Sequence, residues 1–405
     1  MPASPSTARV INDRFALRLL MEQGPLTAGQ LKQQTGLSRP TVADLVERLS
    51  AAGLIEVVGE AGEQRRGPNA RLYGIVADRA HLAAVDVRME GVSVIVCDLL
   101  GRVLAEASVP IDGDLGTGPA VEQAVALVER TAKEGGAEGR LHTVGIGAPG
   151  LIDPGTGELH DSTGLPEWHR RLIAALTERL PEARVTVENE TNLAALAEQR
   201  DGAAHDRDTF VLLWLGNGTG AAVVLDGTLR RGASGGTGEI GFLPVPGTTG
   251  VPSATDCEGG FHGLAGAAAI EHLGERYGLT ALDPEPGEPL AAGVVRAAVA
   301  RAGDPDDTGA HRFLDTLADR IAIGVASVAA ILDPGCVVLG GEVGRAGGEE
   351  LAARVEPRVR RMSPLPTEVR PSPLGGTAVL KGALLTARSR AQDSLFPYTN
   401  APATP

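Results

Sequence analysis

The chain has 405 residues, 43% hydrophobic and only 3% aromatic, which suits two or three aliphatic cores and is too long for one small domain. Its longest apolar run, Ile321 to Leu332, is well short of the roughly 20 residues that cross a bilayer, and Cys97, Cys257 and Cys336 lie too far apart for a thiolate cluster or a disulfide framework. A net charge of −14 speaks against nucleic acid for the chain as a whole, but residues 1–80 carry 10 Lys and Arg against 8 Asp and Glu, so the acid lies in the rest. Met1 to Arg9 is polar and predicts no secretory leader, so the expectation is a soluble cytoplasmic protein with no membrane partner.

A first helix is predicted around Asn12 to Glu22, with Phe15, Ala16, Leu19 and Leu20 turned to a core. Thr27 and Gln30 then form the reciprocal Thr-x-x-Gln pattern of a helix start, and Gly36 supplies the positive φ of a tight turn. Ser38 caps a further helix in which Val42, Leu45, Val46 and Leu49 share one face. That order predicts a helix-turn-helix whose second helix enters a major groove of a double-stranded DNA operator. After Gly53, Leu54 to Val58 and Leu72 to Ile75 predict an antiparallel pair whose connecting loop carries Arg65 and Arg66, a wing able to reach the backbone. The exposed face of the recognition helix presents Ser38, Arg39, Pro40, Thr41, Asp44 and Arg48. Arg39 and Thr41 suit base edges, Ser38 and Arg48 suit phosphates, and Asp44 either accepts from cytosine or is merely solvated. The alternative is a small three-helix interaction module with solvated arginines.

From about residue 80 the periodicity changes. Leu82–Val87 and Val92–Val96 predict paired strands, followed by a helix over Ala120–Lys133 and strands at Val144–Gly147 and Val185–Val187. Phe210–Leu215 and Ala221–Leu225 open a second half around an Asp226-Gly227 turn, and a long helix, Phe313–Ile331, precedes a strand at Val337–Leu339. Two similar α/β halves predict two lobes with a cleft between them, the usual place for a small molecule.

Five stretches carry a family resemblance: Gly145-Ile-Gly-Ala-Pro-Gly150, Val187-Glu-Asn-Glu-Thr-Asn192, Leu215-Gly-Asn-Gly-Thr-Gly220, Gly238-Glu-Ile-Gly241 and Val338-Leu-Gly-Gly341. Together they resemble the ROK family (repressors, open reading frames and sugar kinases), over about Asn12 to Ala387, and a winged helix in front marks its regulator branch. The resemblance implies an α/β chain in three parts. Residues 1–78 would be the winged helix-turn-helix, 79–390 a two-lobed actin-like ATPase body of RNase H-like fold, and 391–405 a tail.

The reaction centre departs from the kinases of that family. Where they place a catalytic Asp, this chain has Glu190, and a carboxylate moved by more than about 1 Å costs on the order of a hundredfold in rate. Their first phosphate loop resembles Asp-x-Gly-Gly-Thr; here it reads Asp86-Val87-Arg88-Met89-Glu90, with bulk in place of both glycines and an anion that repels phosphate. The second loop, Gly216 to Gly220, still looks competent. The family's zinc site is missing as well: Phe242 replaces a His and only Cys257 remains of a three-Cys run, leaving Asp256, Cys257 and His262 as an improvised alternative. The resemblance thus implies no catalysis, metal or cofactor. It places Gly150, Asn189, Glu190 and Glu239 against a small-molecule effector, expected to be a sugar, with another small molecule or no effector as alternatives. Trp168 is read as core packing or as a stacking surface for a sugar. Helix-turn-helix symmetry further predicts a homodimer or tetramer. An active kinase with an accessory DNA-binding head, and an effector-blind scaffold, are the competing readings.

Overall fold

The computed structural model describes residues 5–61, 70–89, 91–159, 166–282 and 287–396. The head comprises α1 (Pro5–Gln23), β1 (Leu26–Thr27), α2 (Ala28–Thr35), α3 (Arg39–Ala51), β2 (Ile55–Ala61) and β3 (Ala70–Ile75). Thr27 Oγ1 accepts from the Gln30 N–H at 3.2 Å while the Thr27 N–H donates to Gln30 Oε1 at 2.8 Å, completing the capping box. Gly36 takes φ 71° and its N–H closes on the Lys32 carbonyl, and Ser38 caps α3 by accepting from the Thr41 N–H at 3.3 Å. Val42, Leu45, Val46 and Leu49 are buried, as the spacing requires. Two features lie outside the sequence reading. α1 starts well before Asn12, and the two-residue β1 pairs with β3, giving a sheet of order β1-β3-β2. Arg65 and Arg66 lie outside the described residues.

The first lobe holds β4 (His81–Arg88), β5 (Gly91–Asp98), β6 (Val103–Pro110), α4 (Thr117–Glu134), β7 (Leu141–Ala148), α5 (Glu167–Arg179), β8 (Arg184–Asn189) and α6 (Glu190–Asp201). Its sheet runs β6-β5-β4-β7-β8, antiparallel through β4, β5 and β6 and parallel from β4 to β8. The second lobe repeats this order. It holds β9 (Phe210–Leu215), β10 (Thr219–Leu225), β11 (Thr228–Arg230), α7 (His262–Ala265), α8 (Ala267–Arg276), α9 (Leu290–Arg301), α10 (Thr308–Leu332), β12 (Cys336–Gly340), α11 (Gly341–Met362) and β13 (Glu368–Pro371), after which α12 (Ala378–Leu395) returns to pack on β4, β7 and α6 of the first lobe. Its sheet runs β11-β10-β9-β12-β13, with β10 turning into β11 through Asp226 and Gly227 at φ 53° and 71°. That two-residue geometry matches the right-handed strand twist. The apolar run Ile321–Leu332 is the end of α10, packed in the second-lobe core. No helix among the described residues is long and apolar enough to cross a membrane.

Each lobe has its own core, and a third apolar layer joins them, where Ala84, Leu193, Phe210, Leu212, Val338, Val379 and Ala383 meet. The expected end of the body at residue 390 falls inside α12. The helix continues to Leu395, and Ala391 and Phe396 are buried with Leu17, Leu20 and Leu45 of the head. The segment at 391–396 is therefore part of the head core rather than a tail.

Candidate functional site

On the head, Ser38, Arg39 and Pro40 are exposed and Thr41 half-buried, so the first turn of α3 projects polar groups outward. Pro40 suits this turn because its missing N–H would have no intrahelical partner there. Arg48 and Asp44, expected to meet DNA, pair with each other, and Arg48 also reaches α1. Arg48 Nη1 pairs with Asp44, while Nη2 and Nε donate to the two oxygens of Asp13 at 2.5 and 3.4 Å. These carboxylates raise the guanidinium pKa, the Asp13 hydrogen bond most of all. Arg48 braces the recognition helix against α1, and the Ser38–Thr41 turn stands as an exposed polar edge.

In the body, Gly150, Asn189, Glu190 and Glu239 line one cavity of about 730 Å³ between the lobes. Asn189 ends β8 and caps α6: its Oδ1 accepts from the Thr191 and Asn192 N–H groups at 2.9 and 3.2 Å, and its amide donates to the Gly150 carbonyl at 3.1 Å and Glu190 Oε2 at 2.8 Å. With both its donors and its acceptor engaged, Asn189 fixes Glu190 in place. Burial pushes the Glu190 carboxyl up to about 8, and the negative charges of Glu239, Asp86 and Glu342 add to the effect. Burial also raises Glu239. Behind them Glu188 accepts from Arg231 Nε at 2.7 Å and Asn192 Nδ2 at 3.0 Å, holding the start of α6.

Two cleft residues escaped the sequence reading, Trp214 and Glu342. Trp214 lines the cavity, and Phe242, a lost ligand by sequence, forms part of the same wall at 38% exposure. Glu342 opens α11 immediately after the Gly340-Gly341 pair, which was the available signal. Arg88, read as bulk, joins it: Nε donates to Asp86 Oδ2 at 2.9 Å, Nη1 to Glu342, and Nη2 to the Gly376 carbonyl at 3.4 Å. Asp86 is 2% exposed, burial raises its carboxyl pKa, and its Oδ1 has no hydrogen-bond partner. Glu342 also faces the second glycine loop, since a Cβ on Gly216 would stand 2.5 Å from Glu342 Oε2. Glu90 lies outside the described residues. Trp168 is 5% exposed and meets the His169 ring edge-on at 4.2 Å, so of its two readings the structure selects core packing. Among the described residues no group of three or more His, Cys, Asp or Glu is placed to hold a metal ion.

Known proteins share both parts. Residues 14–67 match the MarR family and residues 82–390 match the ROK family. The N-acetylglucosamine repressor of Escherichia coli O157:H7 is 25% identical over 345 residues, spanning 82% of this chain and 80% of that protein. A ROK family transcriptional regulator described as a homologue of the E. coli MLC protein superposes with a TM-score of 0.74 at 21% identity, over 96% of this chain and 98% of its own. A ROK family glucokinase from Streptomyces griseus, solved with glucose and AMPPNP, gives a TM-score of 0.62 at 25% identity, over 76% of this chain and all of its own. The match to the family profile covers the whole two-lobed body, and the chain belongs to the ROK family.

Proposed function

We propose that this chain is a DNA-binding transcriptional regulator, acting as a repressor, whose body senses a small molecule, most simply a sugar, without phosphorylating it. The observation that carries this reading is the exposed Ser38–Thr41 turn at the start of a braced recognition helix, on a head similar to the MarR family. Arg39 and Thr41 are the base-reading residues, Ser38 contacts phosphate, and Arg65 and Arg66 add backbone contacts from the wing. The head spans residues 1–78 and the body 79–390, with α12 extending to Leu395 as a shared element. Two copies read two half-sites about one helical turn apart. Glu190 and Glu239 accept from ligand hydroxyls, Asn189 and Gly150 hold Glu190 in register, and Phe242 and Trp214 supply apolar wall. The likeness to a repressor named for N-acetylglucosamine supports a sugar as the effector class.

The test is fluorescence anisotropy of the purified chain with promoter fragments from its own genome, without and with N-acetylglucosamine, xylose or glucose. Tight, salt-sensitive binding to a subset of fragments, altered by one sugar, is the expected result. Absence of binding to every fragment refutes it, and DNA binding that no sugar alters leaves an effector-blind scaffold.

One observation favours a second reading, an active sugar kinase with an accessory head. A carboxyl pushed to about 8 lies in the range useful to a general base, and the Gly216–Gly220 loop persists. Coupled ATP consumption with these sugars, abolished by Glu190→Ala, would establish that reading.

A further inference from the structure

We infer that Arg88 and Glu342 form a latch, an ion pair that ties the first lobe to the second across the cleft. Arg88 is the last residue of β4 in the first lobe, and Glu342 stands in the first turn of α11 in the second. The side chains are 25% and 12% exposed, so the pair is shielded from bulk water. Each nitrogen of the guanidinium reaches a different acceptor: Asp86 on its own strand, Glu342 across the cleft, and the Gly376 carbonyl just before α12. A rigid planar fork used at all three points resists displacement more than a single charge would.

Both partners have independent reasons to stay. Asp86 is buried with one oxygen unpaired, and Arg88 is the cation that offsets its charge. Withdrawing the guanidinium would leave an uncompensated buried carboxylate, among the more costly local changes in a folded chain. Glu342 sits where the N-terminal dipole of α11 favours an anion, and its carboxylate lies against Gly216 of the second glycine loop. The carboxylate thus occupies the cradle from which that loop would otherwise meet a phosphate. In the Streptomyces griseus relative an ATP analogue was present with the sugar; here the tie between lobes is internal. This deepens the sensor reading, because the lobes keep a defined relation that a cleft ligand alone adjusts.

The experiment is hydrogen exchange, followed by mass spectrometry, on the full ligand-free chain and on Arg88→Met, Glu342→Gln and the double variant. Peptides covering the end of β4 and the start of α11 should exchange at least about tenfold faster in either single variant, and the double variant should go no further than Arg88→Met, which alone also strands Asp86, because the pair acts as one unit. Unchanged exchange in the singles, or effects that multiply in the double, overturns the latch. Glu342→Gln keeps the volume and one acceptor, so it remains informative if Arg88→Met fails to fold, and Arg88→Lys should fall between parent and Met. Because no ligand is added, a failure of sugar binding sinks the sensor reading and leaves this result standing.

Discussion

Replacing Glu190 by Gln tests the electrostatics of the cleft most directly. Burial and three neighbouring carboxylates push this carboxyl from 4.5 to about 8, so at neutral pH the folded chain holds a proton that the unfolded chain has lost. Between those two values the native state binds more protons, and stability therefore falls as pH rises through the window. At 1.36 kcal/mol per pH unit the full displacement corresponds to a ceiling of about 5 kcal/mol, which solvent reaching the cleft reduces. Gln keeps the acceptor for Asn189 Nδ2 and removes the charge. Glu190→Gln should match the parent below pH 4.5, where both are neutral, and become progressively more stable than it up to pH 8. Thermal unfolding of both proteins at half-unit steps from pH 4.5 to 9 reads the difference directly. A variant less stable than the parent at pH 8, or a difference that does not vary with pH, would refute the reasoning.

Arg39→Ala should weaken operator binding by about 1–3 kcal/mol and relax preference at the base it reads, checked by anisotropy against single-base operator variants. Arg65→Ala with Arg66→Ala should weaken binding to every sequence alike and reduce the slope of log affinity against log salt by about 2, which a salt titration measures. His169, buried beside Trp168, has its pKa pushed down to about 4 by burial, so the neutral ring contributes stability that is lost as pH falls from 6.5 toward 4. His169→Phe should flatten that acid limb by up to about 3 kcal/mol in unfolding experiments. Because Glu190 acts in the opposite direction over part of the same range, each effect is read as a difference from the parent.

Local chemistry was legible wherever a few neighbouring residues decide the outcome. Thr27, Gln30, Gly36 and Ser38 announced their caps and turn, since each bond closes within four residues. Strand Phe210–Leu215 was read to the residue because it is apolar throughout and bounded by Thr209 and Gly216. β6 was not, because Val103 to Pro110 is an edge strand with Glu106 and two alanines, exposed on alternate positions and without a continuous apolar run. In the cleft, Gly150, Asn189, Glu190 and Glu239 were placed together through motifs they share with the family, and they do converge. What local patterns could not show was long-range pairing. Arg88 finds Glu342 254 residues away, and Arg48 pairs with Asp13 35 residues earlier. Side-chain direction at such positions is settled by tertiary contacts.

The same limit hid the connection between the two functional surfaces. α12 is 18 residues long, about 27 Å at 1.5 Å per residue, and each end belongs to a different part of the molecule. Near its start Val379 lines the cleft and packs over Gly147, while Gly382 lies so close to the Leu193 backbone that a Cβ there would come within 2.0 Å of the Leu193 carbonyl oxygen. At its far end Ala391 and Phe396 are buried in the head core, and Arg14 of α1 pairs with Asp393 and donates to the Phe396 carbonyl at 3.5 Å. A helix gripped this closely cannot tilt at one end without moving the other, because packed cores accommodate discrete rearrangements and not continuous strain. Under the proposed function, a ligand that shifts the wall containing Val379 would act on the middle of α1, against which Arg48 braces the recognition helix. Such coupling would be reciprocal: DNA that fixes the head would also bias the cleft, and an effector that loosens DNA binding would be bound less well by the DNA-held form.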